Sequence, residues 1–214
     1  MTNSGQDENV RSLHDAYSSG DPKITSAVYD DWSKEYEAHM KGVGYTHPAM
    51  TAAMFTRHQP AGDAPVLDAG AGTGIMAEIL PALGYREIDG FDVSPGMLAL
   101  AEKKNLYRNL KLGVLGERLD YEDDSYAGAT ASGVFTEGHA PLSGLDELVR
   151  VVQPGGHIVF SVARIYLGEQ IEAKTKQLED DGKWRRAGTS GRYDSTPLDD
   201  KAIMAQVYAF EVLR

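Results

Sequence analysis

The stretch Val66-Leu-Asp-Ala-Gly-Ala-Gly-Thr-Gly-Ile75 constrains the fold more than any other part of the chain. A short apolar run reaches Asp68, glycines follow at 70, 72 and 74, and an apolar helical pattern begins at once. Glycine at such a turn permits positive φ and lets the backbone approach a ligand closely. The helix that follows aims its free N–H groups at whatever occupies the turn. The segment therefore reads as a nucleotide-like ligand site between a strand and a helix. Its spacing, GxGxG with an acid two residues before the first glycine, differs from the dinucleotide fingerprint GxGxxG.

The sequence beyond this turn keeps alternating. Strands are predicted at 66–69, 87–92, 110–115, 127–135 and 157–163, and helices at 73–83, 95–104 and 142–152. Ser94 is placed to cap the second of these helices, and Lys103 and Lys104 sit at its favourable C-terminal end. Repeated alternation of this kind requires right-handed parallel crossovers and an open, doubly wound sheet. Two further helices are predicted ahead of it, at 25–40 and 46–58, and Tyr29, Trp32, Tyr36 and Met40 share one face of the first. Residues 1–24 are polar and read as a flexible segment. The last fifty residues depart from the alternation. There a helix at 169–181 precedes strand-like runs at 184–193 and 204–213, an antiparallel pair that closes the sheet.

Composition narrows the partners. A chain of 214 residues suits one domain, and a formal net charge of −11 argues against a polyanionic partner. The cluster Lys183, Arg185 and Arg186 reads as solvated surface charge. With no cysteine, disulfides, thiolate metal sites and cysteine nucleophiles are excluded. His14, His39, His47 and His58 lack metal-ligand spacing, so no metal is expected. No apolar run approaches the ~18 residues of a membrane span. The first eight residues are polar and acidic, unlike a signal peptide. The expectation is a cytoplasmic monomer or homodimer with neither nucleic-acid nor membrane partners.

Asp68 with the glycine turn, Asp92 followed by Ser94-Pro-Gly-Met-Leu, and Gln153-Pro-Gly-Gly156 ahead of a strand together resemble the class I S-adenosylmethionine-dependent methyltransferases over roughly residues 25–214. A closer similarity, to the methyltransferase-like proteins of the Williams-Beuren syndrome chromosome region type, rests on Tyr29-Asp-x-Trp32, Ser94-Pro-Gly-Met97, Leu115-Gly116, and Gly133-Val-Phe-Thr-Glu-Gly138 with Pro141. The resemblance implies a Rossmann-like α/β fold with helices on both faces of a seven-stranded, mostly parallel sheet and an antiparallel C-terminal strand. It implies a single methyltransferase domain over 25–214, with lid helices at about 25–58. S-adenosylmethionine is the implied cofactor and S-adenosylhomocysteine its product.

Open α/β sheets bind ligands at the carboxyl ends of their strands. On the resemblance, Ala69, Gly70, Ala71, Gly72 and Gly74 pass close to the methionyl part of the cofactor, and Asp68 either fixes this turn or meets the ammonium group. Asp92 ends the second strand and accepts hydrogen bonds from the ribose diol, with Val93 and Met97 against the adenine. Many family members carry an acid at the end of the third strand; here Leu115 and Gly116 occupy its place and Glu117 follows. The adenine amino group then falls to Glu117 or to a backbone carbonyl. Tyr29 and Tyr36 close over the cofactor, Trp32 either joins them or packs the helix, and Phe135 completes the set.

Methyl transfer from a sulfonium is an in-line displacement on an activated donor, so the protein mainly positions the nucleophile. A general base is needed only when that nucleophile arrives protonated. The fourth strand ends at Phe135-Thr-Glu-Gly-His139, without the Asn/Asp-Pro-Pro-Tyr/Phe of amide and nucleobase N-methyltransferases. His139 is the candidate base, or else a loop histidine lining the pocket. Glu137 binds a cationic substrate or faces water, and Arg164, Tyr166 and Tyr193 belong to the substrate side. The expected activity is transfer of a methyl group to an oxygen or nitrogen of a small-molecule acceptor. The rivals are a cofactor-binding partner subunit without turnover, and an enzyme of another class on the same fold, such as a cyclase.

Overall fold

The alternation of strand and helix produces one mixed sheet. The computed structural model describes residues 22–136, 139–163 and 168–213. The strands are β1 (Val66–Ala69), β2 (Ile88–Asp92), β3 (Asn109–Leu112), β4 (Tyr126–Phe135), β5 (Val152–Ala163), β6 (Trp184–Thr189), β7 (Tyr193–Asp194) and β8 (Met204–Val212). Their spatial order is β3-β2-β1-β4-β5-β8-β6, with β7 also paired to β8. β1 to β5 are mutually parallel, and β8 runs antiparallel to β5, β6 and β7. The described residues thus form eight strands where seven are predicted. The run at 184–193 divides, because a register shift between Arg186 and Gly188 bends it and the chain leaves the ladder before Tyr193.

The helices are α1 (Pro22–Gly42), α2 (His47–His58), α3 (Ile75–Ile79), α4 (Pro95–Lys103), α5 (Gly144–Val151) and α6 (Glu169–Asp180). The helix predicted at 73–83 is cut short: α3 passes into a 3-10 turn over Leu80–Leu83. Pro81 has no N–H with which to continue an α-helical ladder, and Gly84, at φ 94°, ends the turn. β3 stops at Leu112, before the predicted end, and β5 starts at Val152, five residues ahead of the predicted 157.

One face of the sheet buries Leu67, Ala129, Phe160, Phe210 and Trp184 with α5 and α6 residues such as Leu145, Leu148 and Ile171. The Trp184 and Phe210 rings stack with centroids 4.1 Å apart. The other face packs Val66, Ile88, Val159 and Val207 against Phe55 of α2 and Met76 of α3. These two layers hold β1 rigidly, with every residue of it buried. Among the described residues, no helix is long and apolar enough to cross a membrane, and no group of three or more metal-ligating side chains could hold an ion.

Candidate functional site

Strand order reverses between β1 and β4, because the chain adds β2 and β3 on one side of β1 and then returns to the other. The carboxyl ends of these strands frame a cleft of about 780 Å³, partly open to solvent. A second lobe of about 300 Å³ continues it past the glycine turn.

The turn is built by backbone. Gly70, Gly72 and Gly74 all have positive φ, at 71°, 54° and 90°. The Ala71 N–H donates to the Phe91 carbonyl at 2.9 Å, and the Gly72 N–H donates to Asp92 Oδ2 at 2.8 Å. A Cβ on Gly70 would overlap Val134, whereas a Cβ on Gly72 would meet nothing within 4 Å and would project into the cleft. The space in front of Gly72 is therefore open.

Asp92 ends β2 on the cleft wall, and its Oδ1 accepts the Ser94 N–H at 2.9 Å. Burial pushes its carboxyl up, the backbone N–H groups of Ser94, Gly72 and Val93 pull it down, and Asp30 pushes it up again, for a net rise. The Gly72 and Ser94 N–H groups hold one carboxylate oxygen each and Val93 adds a third donor, which leaves acceptor capacity on the carboxylate for a ligand hydroxyl. Val93, Met97, Gly113, Val114 and Leu115 continue this wall.

Asp68 lies beneath the turn, buried to 1% exposure. It accepts hydrogen bonds from Tyr107 Oη at 2.7 Å and Thr130 Oγ1 at 3.3 Å. Burial pushes its carboxyl up to about 6, against the pull of these two donors and with a further push from Asp92.

The motif Tyr29-Asp-x-Trp32 and the motif Ser94-Pro-Gly-Met97 meet each other. Asp30 Oδ1 accepts from Ser94 Oγ at 2.5 Å and from the Gly96 N–H at 2.7 Å. Ser94 Oγ also accepts the Met97 N–H at 3.1 Å as the cap of α4. A Cβ on Gly96 would stand 2.8 Å from Asp30 Oδ1. Ser26 Oγ adds a bond to the Val93 carbonyl at 3.0 Å. α1 is thereby fixed over the cleft, where Tyr29 and Tyr36 line its roof. Trp32 does not line it: at 7% exposure it packs between Tyr36, with centroids 4.9 Å apart, and His39, at 5.3 Å.

The far end of the cleft is formed by Tyr45, Ser132, Gly133, Val134, His139 and Ala140. β4 loses register between Ala131 and Phe135, and Gly133 sits at φ 74° with its N–H on Ser161 Oγ at 2.8 Å. A Cβ there would overlap the Tyr45 hydroxyl. Ser132 Oγ is buried and has no hydrogen-bond partner among the described residues. His139 Nε2 is hydrogen-bonded to the Tyr29 hydroxyl, and the two rings lie 5.4 Å apart. Behind this wall His47 Nδ1 bonds Tyr193 Oη at 2.7 Å. Burial pushes His47 down to about 4, so it is neutral at physiological pH.

Of the residues predicted to form the site, Tyr29, Tyr36, Gly70, Gly72, Asp92, Val93, Met97, Leu115 and His139 line the cleft, and Ala71 lines its second lobe. Asp68 and Ala69 are buried beneath it, and Gly74 caps α3 against Tyr107. Five others stand back. Trp32 packs the helix. Phe135 is fully buried on Phe160, at 5.4 Å. Gly116, at φ 113°, lies where a Cβ would stand 2.8 Å from Pro141. Glu117 is exposed and turns its N–H back to the Val114 carbonyl at 3.1 Å. Tyr193 supports His47 instead of lining the wall. Glu137, Arg164 and Tyr166 lie outside the described residues. Sequence reasoning missed Thr25, Tyr45, Ser132 and Gly133; only Gly133, a glycine inside a strand pattern, carries a local signal of a bulge or close approach.

Comparison with known proteins gives the family and the fold. Residues 67–160 match the family described as a methyltransferase domain. Methyltransferase-like protein 27 of Homo sapiens is 31% identical over 184 residues, covering 82% of this chain and 73% of that protein. Demethylmenaquinone methyltransferase of Clavibacter sepedonicus is 31% identical over 141 residues, covering 64% of this chain and 57% of that protein. The fold is shared with a Haloferax volcanii methyltransferase in complex with the Trm112 methyltransferase activator, with a TM-score of 0.63 at 18% identity over 88% of this chain and 97% of that one. It is also shared with the cyclase SpnF, with a TM-score of 0.60 at 16% identity over 78% of this chain and 81% of that one. The chain belongs to the class I S-adenosylmethionine-dependent methyltransferases, of the methyltransferase-like protein 27 type.

Proposed function

We propose that the cleft holds S-adenosylmethionine along β1 and β2 and that the protein methylates an oxygen or nitrogen of a small-molecule acceptor bound at the β4 end. The observation that carries this reading is the pairing of Gly72 with Asp92. A positive-φ glycine faces open space beside a carboxylate that retains acceptor capacity. That arrangement fits a ribose diol and the chain leading from it to the methionyl group. When bound, the cofactor supplies a methyl group already activated for displacement.

In this reading Asp92 accepts the ribose hydroxyls, Met97, Val93 and Leu115 form the apolar slot for the base, and Ala69, Ala71 and Gly74 shape the turn with Asp68 beneath it. The exposed position of Glu117 supports a backbone carbonyl near Val114 as the partner of the adenine amino group. Tyr29 and Tyr36, carried by α1 and backed by Trp32, close the roof and exclude water. His139 is the base, and the hydrogen bond between its Nε2 and the Tyr29 hydroxyl orients the ring. Phe135, Gly116 and Tyr193 support the walls. Net charge −11 favours a small acceptor over a nucleic acid.

Titration calorimetry with S-adenosylmethionine and S-adenosylhomocysteine tests the first half; absence of binding to the folded protein overturns the reading. An acceptor screen that detects S-adenosylhomocysteine release tests the second. Binding without release for any acceptor class would favour a partner subunit or a cyclase on this fold.

A further inference from the structure

Asp68 is the buried acid of the site, and the shorter of its two side-chain hydrogen bonds comes from a residue that touches no wall of the cleft. Tyr107 stands on the connector between α4 and β3, and the next residue anchors that connector to β2. The Arg108 N–H donates to the Ile88 carbonyl at 2.7 Å, and its guanidinium grips Asp89 through Nε at 2.9 Å and Nη2 at 2.8 Å. From this fixed base the Tyr107 ring passes two glycines. A Cβ on Gly90 would lie 2.8 Å from the ring, and one on Gly74 would lie 3.2 Å from it. The hydroxyl then reaches Asp68 Oδ2 at 2.7 Å. One side chain thus joins the end of β1, the middle of β2 and the start of α3, the three elements that set the glycine turn.

We infer that Tyr107 is a positioning residue for the cofactor turn: its hydroxyl holds the Asp68 carboxylate in its ionised form beneath the turn, and so sets the negative field that a sulfonium ligand meets. This inference rests on the reading of the cleft as the S-adenosylmethionine site. The physical argument is direct. A buried carboxylate stays charged only when donors compensate its lost hydration. Asp68 has two among the described side chains, and Thr130 at 3.3 Å is the weaker. The titratable groups facing Asp68 are Tyr107 from the connector and Asp92 from the end of β2, and Asp92 in turn faces Asp30 of α1. Burial and Asp92 both push Asp68 toward the neutral form, to about 6, against the two hydroxyls. Removing the Tyr107 hydroxyl raises it further, so Asp68 takes up a proton at a higher pH and the field under the turn weakens.

The test is calorimetry on the full chain, with S-adenosylmethionine and S-adenosylhomocysteine as probes, across pH 5.5 to 8.5. The variants are Tyr107→Phe, Asp68→Asn and the double. Affinity of the wild type for the cationic donor is expected to fall on acidification with a midpoint near 6. In Tyr107→Phe that midpoint moves up by about one pH unit, which costs roughly fivefold at pH 6 and about twofold at pH 7, and is recovered by pH 8.5. The product, which lacks the sulfonium charge but keeps its ammonium and carboxylate, responds less. Asp68→Asn loses the step near 6 and keeps only what Asp92 contributes, and Tyr107→Phe adds nothing to it. A wild-type profile in Tyr107→Phe, or a loss equal at every pH together with a lowered Tm, overturns the inference and leaves the ring as packing alone. A pH-dependent effect of Tyr107→Phe that persists in the Asp68→Asn background overturns it equally. Failure of the wild type to bind either probe is a different result: it overturns the cleft assignment itself.

Discussion

The two ends of the cleft are built by different means. On the proposed reading, the cofactor end comes from two short, unbroken segments, 68–74 and 92–97, held by backbone φ angles and by backbone N–H groups that donate to a carboxylate. The proposed acceptor end is assembled from side chains far apart in sequence. Tyr29 and His139 meet across 110 residues, and His47 and Tyr193 across 146. A ligand shared by a whole family can be met by a local motif, because the same backbone shape serves every member. An acceptor particular to one protein is met by contacts that exist only once the sheet has closed.

That contrast makes distinct predictions. The largest effect is expected at the acceptor end. His139→Asn keeps the ring's approximate size and a polar group but removes the base, so turnover with an acceptor found in the screen should fall about a hundredfold. Donor affinity, read by calorimetry, should stay within about twofold, since the cofactor segments are untouched. An equal loss of both would dissolve the division. Asp92→Ala should act in the opposite sense and weaken S-adenosylmethionine binding by at least about tenfold, through loss of a charged acceptor and of the Gly72 anchor. Unchanged affinity would remove the ribose assignment. The smallest effect should come from Asp30→Ala, which frees α1 from Ser94 and Gly96. Stability should fall by about 1 kcal/mol in urea denaturation, with donor affinity down a fewfold as the roof loosens. A stability loss with no change in affinity would show that α1 packs without closing.

Much of the cofactor end is legible in the sequence, because each of its devices is local. Alternating periods give the parallel sheet, glycine spacing gives the turn, and Ser94 before Pro95 gives a capped helix that the structure confirms at 3.1 Å. Helical periodicity places Tyr29, Trp32 and Tyr36 together, yet it says nothing of which ring meets the cleft and which meets His39. Strand alternation leaves the same ambiguity at 132–135, where the break in register decides that Val134 lines the cleft and Phe135 the core. Tyr45, Ser132 and Tyr107 carry no local mark. Their places follow from the approach of other strands and helices, as does the retreat of Glu117 from the cleft.

The seat of Asp30 on Gly96 reaches beyond the anchoring of one helix. Because the carboxylate occupies the volume where any side chain at position 96 would begin, that position is closed to every other residue type unless the roof lifts. The head of α4 and the roof therefore meet at this contact, beside the Ser26–Val93 and Lys104–Glu37 contacts. Lifting the roof from above would have to break these contacts and uncover the head of α4.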